Sequence, residues 1–185
     1  NRVAICDQLE DPKTVKGIVK RGVTELVTPG LSYNDQVLDT RRNNYLASIH
    51  FGKERLGIAF LDVSTGEFMC AEGNASYIEK LLQSFAPSEL IYSKAAKKAA
   101  SELLKNDFIT FHCEDWVFQV DFTYEKLKTH FGTSSLKGFG IEELPYASVA
   151  AGAILYYLEE TEHREVQHIS SISRIPEEKY VWLDK

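Results

Sequence analysis

The spacing of apolar residues divides the chain into strands and helices. Residues 2–6 and 18–28 have the composition of strands. Between them, the letters DPKTVKG predict a short helix that begins at Asp11 and ends at Gly17. A strand, a short helix and a second strand bury too little surface to form a domain, so we interpret residues 1–30 as the end of one.

Residues 44–72 are predicted to form three antiparallel strands. Two apolar runs, NNYLASIHF and RLGIAFLDV, flank the polar turn GKER, which is the pattern of a β-hairpin. The turn STG then leads into a third run, EFMCAEG. The pattern therefore predicts an antiparallel meander.

After residue 73 the apolar period changes to that of helices. Asn74 is a typical N-cap for the first helix, and further helices are predicted over 94–105, 121–131 and about 141–162. The short strands SELIYS and FITFHCE lie between the first three helices. Three antiparallel strands followed by strand–helix units predict an α/β fold, with an RNase H-like mixed sheet and flanking helices.

Composition and charge describe a folded protein with an acidic body. The 185 residues are 44% apolar and carry a formal net charge of −6. Residues 1–55 contain nine Lys and Arg against seven Asp and Glu, whereas residues 56–185 contain twelve against twenty. Because an acidic surface repels a phosphate backbone, we expect any nucleic-acid contact to come from the first segment.

Cysteine use and hydropathy predict a cytoplasmic location. Cys6, Cys70 and Cys113 show no paired spacing, which favours a reducing compartment over a secreted disulfide scaffold. The longest apolar stretch, residues 144–158, is shorter than the ~20 residues that a bilayer span needs, so we expect no membrane contact. The sequence opens at Asn1 without an initiator Met, which suggests a segment of a longer chain.

Asp62 is the foremost candidate for chemistry. It ends an apolar strand, where a metal-binding carboxylate of a nuclease could lie. An RNase H-like nuclease needs several carboxylates around two metal ions, with an essential acid on the first strand, and NNYLASIHF carries no acid. We therefore favour a structural role in which Asp62 binds the amides of the following turn.

Other motifs give no catalytic or metal site. His112 and Cys113 are neighbours on a strand and point to opposite faces, so they cannot share a proton. The glycine-rich letters FGTSSLKGFG lack the order of a phosphate-binding Walker A loop. The Cys and His spacings do not match those of metal sites, so we expect no metal and no cofactor in this segment.

Two basic clusters could contact phosphates. Lys16, Lys20 and Arg21 fall in the N-terminal piece and are the candidate DNA-backbone contacts. The second cluster lies on the predicted helix 94–105, where a basic run more often marks a solvated helix face. Its members are Lys94, Lys97, Lys98 and Lys105.

Four blocks follow one another along the chain: VAICDQLEDPKTVKGIVKRGVTELVTPG, NNYLASI, GIAFLDVSTGEF and LKGFGIEELPYASVAAGAILYYLEET. In this order they closely resemble the MutS family of bacterial DNA mismatch-recognition proteins. The likeness covers nearly the whole chain. It implies that residues 1–30 end a mismatch-binding domain, that residues 31–165 are a connector domain with an RNase H-like fold and no nuclease chemistry, and that residues 166–185 begin the core (lever) domain.

The resemblance also implies what the segment lacks. The family reads mismatches with a Phe-x-Glu motif near its N-terminus and hydrolyses ATP at a Walker A loop near its C-terminus, and neither motif occurs here. We therefore expect no enzyme activity from these residues. ATP and Mg belong to the full-length parent protein, which the resemblance implies to be an ATPase and a homodimer.

The partners implied by the resemblance are MutL and, through the full-length parent, mismatched duplex DNA. A connector transmits state between the mismatch-binding end and the remaining domains, and its surface takes part in docking MutL. On the predicted helix 121–131 we expect Glu125, Lys126 and Lys128 to face outward as the candidate MutL surface. A plain solvated face is the alternative. The side chains expected to face the core are Phe122, Tyr124, Leu127 and Phe131.

Two rival functions stay open at this point. One is an RNase H-like, Mg²⁺- or Mn²⁺-dependent nuclease centred on Asp62. The other is a free-standing dimerisation module, in which the strands at residues 2–6 and 18–28 pair across chains. The absence of an acid on the first strand of the meander argues against the nuclease.

Overall fold

The computed structural model describes residues 3–11, 17–31, 43–105, 107–161 and 166–176. Its N-terminal part is a two-stranded antiparallel ribbon of β1 (Val3–Gln8) and β2 (Arg21–Val27). The two strands thus pair with each other within one chain. The predicted helix between them lies mostly outside the described residues. A 3-10 turn at Pro29–Leu31 leads from the ribbon into the body.

The body is built on a six-stranded mixed sheet. Its strands are β3 (Tyr45–Phe51), β4 (Leu56–Asp62), β5 (Glu67–Gly73), β6 (Glu89–Ser93), β7 (Thr110–Cys113) and β8 (Ser173–Arg174). They lie in the order β7-β6-β3-β4-β5-β8. Strands β3, β4 and β5 form the predicted antiparallel meander, and β6, β7 and β8 add to it in parallel pairings, which confirms a mixed α/β fold.

Helices cover both faces of the sheet because its strands are apolar on both sides. Alternate residues of β3 enter opposite cores, Leu46 on one side and Ala47 on the other. The helices of the described part are α1 (Ala75–Phe85), α2 (Lys97–Leu104), α3 (Val120–Phe131) and α4 (Pro145–Glu160). Helices α1 and α2 cover the Ala47 side, while α3 and α4 cover the Leu46 side. None of the helices in the described residues has the length and apolarity that a membrane span requires.

Helix α4 is the central helix of the fold and begins later than its apolar pattern predicts. Pro145 occupies its first turn, where the missing N–H costs nothing. The carboxylate of Glu72 on β5, only 7% exposed, accepts hydrogen bonds from the N–H groups of Tyr146 (2.9 Å) and Ala147 (3.4 Å). A negative charge at this end satisfies free amides and complements the helix dipole, which fixes the start of the helix at Pro145.

The segment after α4 is attached to the same body. Ile169, Ile172 and Ile175 are buried. Two imidazoles bind backbone carbonyls beside them: His130 Nε2 lies 2.8 Å from the oxygen of Ile169, and His168 Nε2 lies 2.6 Å from the oxygen of Val63. Residues 166–176 therefore pack on the sheet, and the domain boundary expected at residue 166 stays a prediction.

The close contact between α4 and β4 yields the first prediction. An alanine Cβ at Gly57 would lie 1.9 Å from the carbonyl oxygen of Tyr146, so Gly57→Ala must push the helix away from the sheet. We expect the free energy of unfolding to fall by about 3 kcal/mol, measured by urea titration. The matched control is Gly138→Ala, because nothing lies within 4 Å of a Cβ there. Equal stability of the two variants would contradict this packing.

Candidate functional site

The carboxylate of Asp62 is buried and bound by the turn that follows it. Its Oδ1 accepts hydrogen bonds from the N–H (2.9 Å) and the hydroxyl (2.6 Å) of Ser64, and from the N–H of Thr65 (3.3 Å). Its Oδ2 accepts from the N–H of Asn44, at 3.3 Å. The side chain is 2% exposed. Both oxygens are therefore engaged in holding the β4–β5 turn against the start of β3.

This geometry does not support the nuclease alternative. A catalytic carboxylate needs lone pairs free for a metal ion, whereas those of Asp62 point to donors within the protein. Within the described ranges, no group of three or more His, Cys, Asp and Glu could hold a metal ion. The structural interpretation of Asp62 as a turn-binding acid is confirmed.

The structure also shows where two other candidate motifs lie, the His112–Cys113 pair and the glycine-rich stretch. Cys113 is buried in the core, whereas His112 is exposed at the edge strand β7, so the two neighbours point to opposite sides as expected. The glycine-rich stretch forms a short 3-10 turn at residues 137–139 rather than a loop between a strand and a helix.

The candidate partner surface on α3 differs from its prediction at the two lysines. Glu125 is exposed, as expected, but Lys126 and Lys128 are only 18% and 22% exposed. The Lys126 ammonium forms an ion pair with Glu159 on α4, which pulls its aliphatic stem onto the neighbouring helix. The two lysines are therefore only partly exposed, and the candidate MutL surface as a whole stays a prediction.

Lys128 turns back along its own helix. Its ammonium lies 2.7 Å from Glu125 and 5.1 Å from the centre of the Tyr124 ring. The hydrogen bond to Glu125 raises the pKa of Lys128 above its ordinary value. The hydroxyl of Tyr124 in turn donates to Glu142, which also accepts from the N–H of Leu136. The result is a ladder of charges along one side of α3, in which Glu125 is the most exposed member.

Beside this ladder lies a partly exposed aromatic cluster, which we define as Trp116, Phe122 and Tyr156. The three rings meet edge to face, with centres 5.0 Å apart for Trp116–Phe122, 5.1 Å for Trp116–Tyr156 and 5.8 Å for Phe122–Tyr156. Trp116 is 46% exposed, a large fraction for an indole packed against two other rings. No periodic signal along the chain marks this cluster, because its members come from a 3-10 turn and two helices.

A groove of about 560 Å³ runs from the aromatic cluster between α3 and α4. Phe122, Leu155 and Val166 contribute its apolar lining, and the ion pair of Lys126 with Glu159 crosses its wall. Acids outnumber lysines along this groove. The combination of an exposed aromatic anchor, an apolar groove and an acidic border is typical of a protein-binding surface.

The candidate DNA contacts lie at one end of the ribbon. Lys20 and Arg21 are exposed where β2 begins, and Lys16 lies outside the described residues. The backbone N–H of Lys20 donates to the carboxylate of Glu10, at 3.1 Å. The two basic side chains thus share this end of the ribbon with an acid.

Comparisons with known proteins identify the two parts of the chain separately. The family described as MutS domain II matches residues 44–170, and the family described as MutS domain I matches residues 1–36. Proteins named DNA mismatch repair protein MutS are 63% identical over 184 residues in Cytophaga hutchinsonii, 58% in Christiangramia forsetii and 56% in Bacteroides fragilis. Each alignment covers 100% of this chain but only 21–22% of the relative, so the chain spans about a fifth of their length.

The structural role of Asp62 can be tested by stability. Asp62→Ala leaves three backbone donors and one hydroxyl without their acceptor, so we expect a loss of about 2 kcal/mol or more in the free energy of unfolding. Asp62→Asn, which keeps one acceptor oxygen, should lose less. The control is Asp107→Ala at an exposed acid. An Asp62→Ala variant as stable as the control would overturn the assignment.

Proposed function

This chain belongs to the MutS family of DNA mismatch repair proteins, and on that basis we propose that residues 31–165 are its non-catalytic connector domain. Residues 1–30 are the end of the mismatch-binding domain, and residues 166–185 begin the core (lever) domain. The observation that carries the proposal is the match of residues 44–170 to a domain of the family. The three antiparallel strands followed by parallel strand–helix units support an RNase H-like fold for this part.

The full-length parent, in this proposal, binds mismatched duplex DNA, hydrolyses ATP with Mg and acts as a cytoplasmic homodimer. The present segment supplies the link between mismatch recognition and the ATPase and lever parts. The binding of Asp62 within its turn supports a scaffold rather than a metal-dependent enzyme. In this proposal the segment itself binds no cofactor, and ATP and Mg belong to the full-length parent.

We further propose that the α3 side of the connector docks MutL. Glu125 with Lys126 and Lys128 forms the polar part of this surface, and the aromatic cluster beside it supplies the apolar anchor. Exposed tryptophan next to charged side chains is the composition that binding hot spots favour. Glu125 and Trp116 are the most exposed side chains of this surface and therefore the most accessible to a partner.

Titration calorimetry of this chain with the MutL protein of the same organism tests the docking surface. We expect Trp116→Ala to weaken binding by roughly tenfold or more and Glu125→Lys to weaken it less, as for a buried anchor and a rim charge. Lys98→Glu, a charge change on α2 across the sheet, should bind as the unmodified chain does. Circular dichroism checks that each variant is folded.

Two results would contradict the docking proposal. One is the absence of heat from the unmodified chain at high concentration, because docking would then need parts outside this segment. The other is equal affinity for Trp116→Ala, Glu125→Lys and the unmodified chain.

We also propose that Lys16, Lys20 and Arg21 contact the DNA backbone in the parent. Exposure of Lys20 and Arg21 at one end of the ribbon supports this, because exposed basic side chains can neutralise phosphates and release their counterions. Their position next to Glu10 limits the attraction.

The salt dependence with which the full-length parent binds duplex DNA tests these contacts. Replacing Lys16, Lys20 and Arg21 with Gln should reduce the slope of log affinity against log salt by about 0.9 for each phosphate that the variant no longer neutralises. Fluorescence anisotropy with a mismatched duplex measures the slope. The control replaces Lys94, Lys97 and Lys98 of the other basic cluster with Gln. An unchanged slope in the first variant would end this part of the proposal.

A further inference from the structure

The ribbon joins the body through a short buried junction, which we define as residues 28–31. Thr28 and Leu31 are each 1% exposed, and Leu31 packs in the same core as Leu46 of β3. By contrast, every residue of β1 is exposed, including Val3 and Ile5. The buried junction therefore determines how the exposed ribbon lies relative to the body.

One acid binds this junction from inside the body. Glu89 begins β6 and is 1% exposed. Its Oε2 accepts a hydrogen bond from the N–H of Gly30 (3.2 Å), and its Oε1 accepts one from the hydroxyl of Tyr157 on α4 (2.7 Å). A single carboxylate therefore connects the junction, the sheet and the central helix. Because burial of a charge is costly, both hydrogen bonds are needed to keep it in place.

Neighbouring hydrogen bonds and close packing also hold the junction at this position. The side-chain amide of Asn44 donates to the carbonyl oxygen of Pro29 (3.0 Å) and accepts from the hydroxyl of Ser88 (2.5 Å), which precedes Glu89. A Cβ at Gly30 would lie 3.0 Å from Cβ of Glu89 and 3.2 Å from Cα of Leu46. Only a residue without a side chain brings the junction this close to the carboxylate.

The ribbon also touches the body just before the junction. The N–H of Leu26 on β2 donates to the carbonyl oxygen of Thr161, at 3.2 Å, one residue beyond the end of α4. Leu26, Tyr157 and Thr161 line a cavity of about 290 Å³ between β2 and the C-terminal end of α4. This backbone hydrogen bond lies beside a cavity, so the ribbon can change its angle to the body unless the junction holds it.

We infer that Glu89 is a positioning residue that fixes the orientation of the β1–β2 ribbon relative to the sheet and α4. It does so by holding the Gly30 amide and the Tyr157 hydroxyl at once, so that the loss of either bond frees the ribbon to sample other orientations. If the ribbon is the end of the mismatch-binding domain, a consequence that rests on the proposed function, Glu89 sets how that domain meets the connector.

The test measures a distance across the junction in the folded chain. Spin labels are placed on Cys6, which is exposed on β1, and on a cysteine introduced as Glu102→Cys on α2. Cys70 and Cys113 are buried, and burial raises the pKa of the Cys70 thiol to about 12, which suppresses labelling there. Pulsed electron paramagnetic resonance then gives the distribution of distances between the spin label on the ribbon and the one on the body.

We expect one narrow distribution for the chain with native Glu89, and a broader or shifted one for Tyr157→Phe and Glu89→Ala. Glu89→Gln should stay close to native, because its amide can accept from Gly30 and donate to the Tyr157 oxygen. Hydrogen exchange at the Gly30 amide should accelerate by roughly tenfold or more in Glu89→Ala, as for the loss of a charge-assisted hydrogen bond.

The matched control is Tyr45→Phe. It removes another hydroxyl-to-carboxylate hydrogen bond, from Tyr45 to Glu67 at 2.5 Å, and the Tyr45 ring packs in the core on the opposite side of the sheet from Leu31 and Tyr157. It should leave the distance distribution unchanged even though stability falls, which separates positioning from general destabilisation.

Native distributions in both Tyr157→Phe and Glu89→Ala would overturn the inference, as would a broadening as large in Tyr45→Phe. If Glu89→Ala fails to fold, Tyr157→Phe decides, because it removes one of the two hydrogen bonds of Glu89 and adds no bulk. The measurement contains neither MutL nor DNA. Failure of the proposed MutL docking or DNA contact therefore leaves it unaffected, and the reverse also holds.

Discussion

The contact of helix α4 with the sheet is the constraint on which the rest of the structure depends. Gly57 presents bare backbone to the first turn of the helix, and Glu72 on the next strand binds the free amides of that turn. Position and direction of the helix are thus set at one end. Packing then proceeds along the helix, where Gly152 lets α3 approach closely enough that a Cβ would lie 2.5 Å from Cβ of Thr123.

Three buried acids have the same structural role in this fold. Asp62, Glu72 and Glu89 each direct at least one oxygen to backbone amides of a turn, a helix start and a junction respectively. A carboxylate accepts several hydrogen bonds, so it stabilises such ends better than a neutral side chain does. The acids therefore connect elements that are distant in sequence, and their burial reflects architecture rather than catalysis.

Much of the architecture could be predicted from the sequence, because it depends on local patterns. The alternation in NNYLASIHF and RLGIAFLDV, together with the turn between them, was sufficient for the meander, and the helical spacing after Asn74 was sufficient for α1. The start of α4 at Pro145 was placed less well, since it is decided by Glu72, more than seventy residues earlier in the chain. A partner so remote leaves no trace in a local window.

The same limit applies to the candidate surfaces, where local sequence predicts which side chains are exposed but not which distant residues they contact. Helical periodicity placed Glu125 outward correctly, but it could not show that Glu159 on another helix would draw Lys126 inward. Glu89 carried one signal, an acid at the start of the apolar letters ELIYS, yet nothing local connects it to Gly30, fifty-nine residues before it. Side chains whose roles depend on two elements meeting require the structure.

The position of α4 bears on how a connector could transmit state. Near its C-terminal end, α4 is linked to the ribbon by the hydrogen bond of Thr161 with Leu26 and to the junction by the hydrogen bond of Tyr157 with Glu89, while its middle packs on α3 through Gly152. A well-packed helix moves as a rigid body rather than deforming along its length. Any displacement that the ribbon imposes at Glu89 would therefore be carried by α4 to the α3 surface. In the proposed scheme, α4 and the packing of α3 against it link the DNA-facing end to the MutL surface.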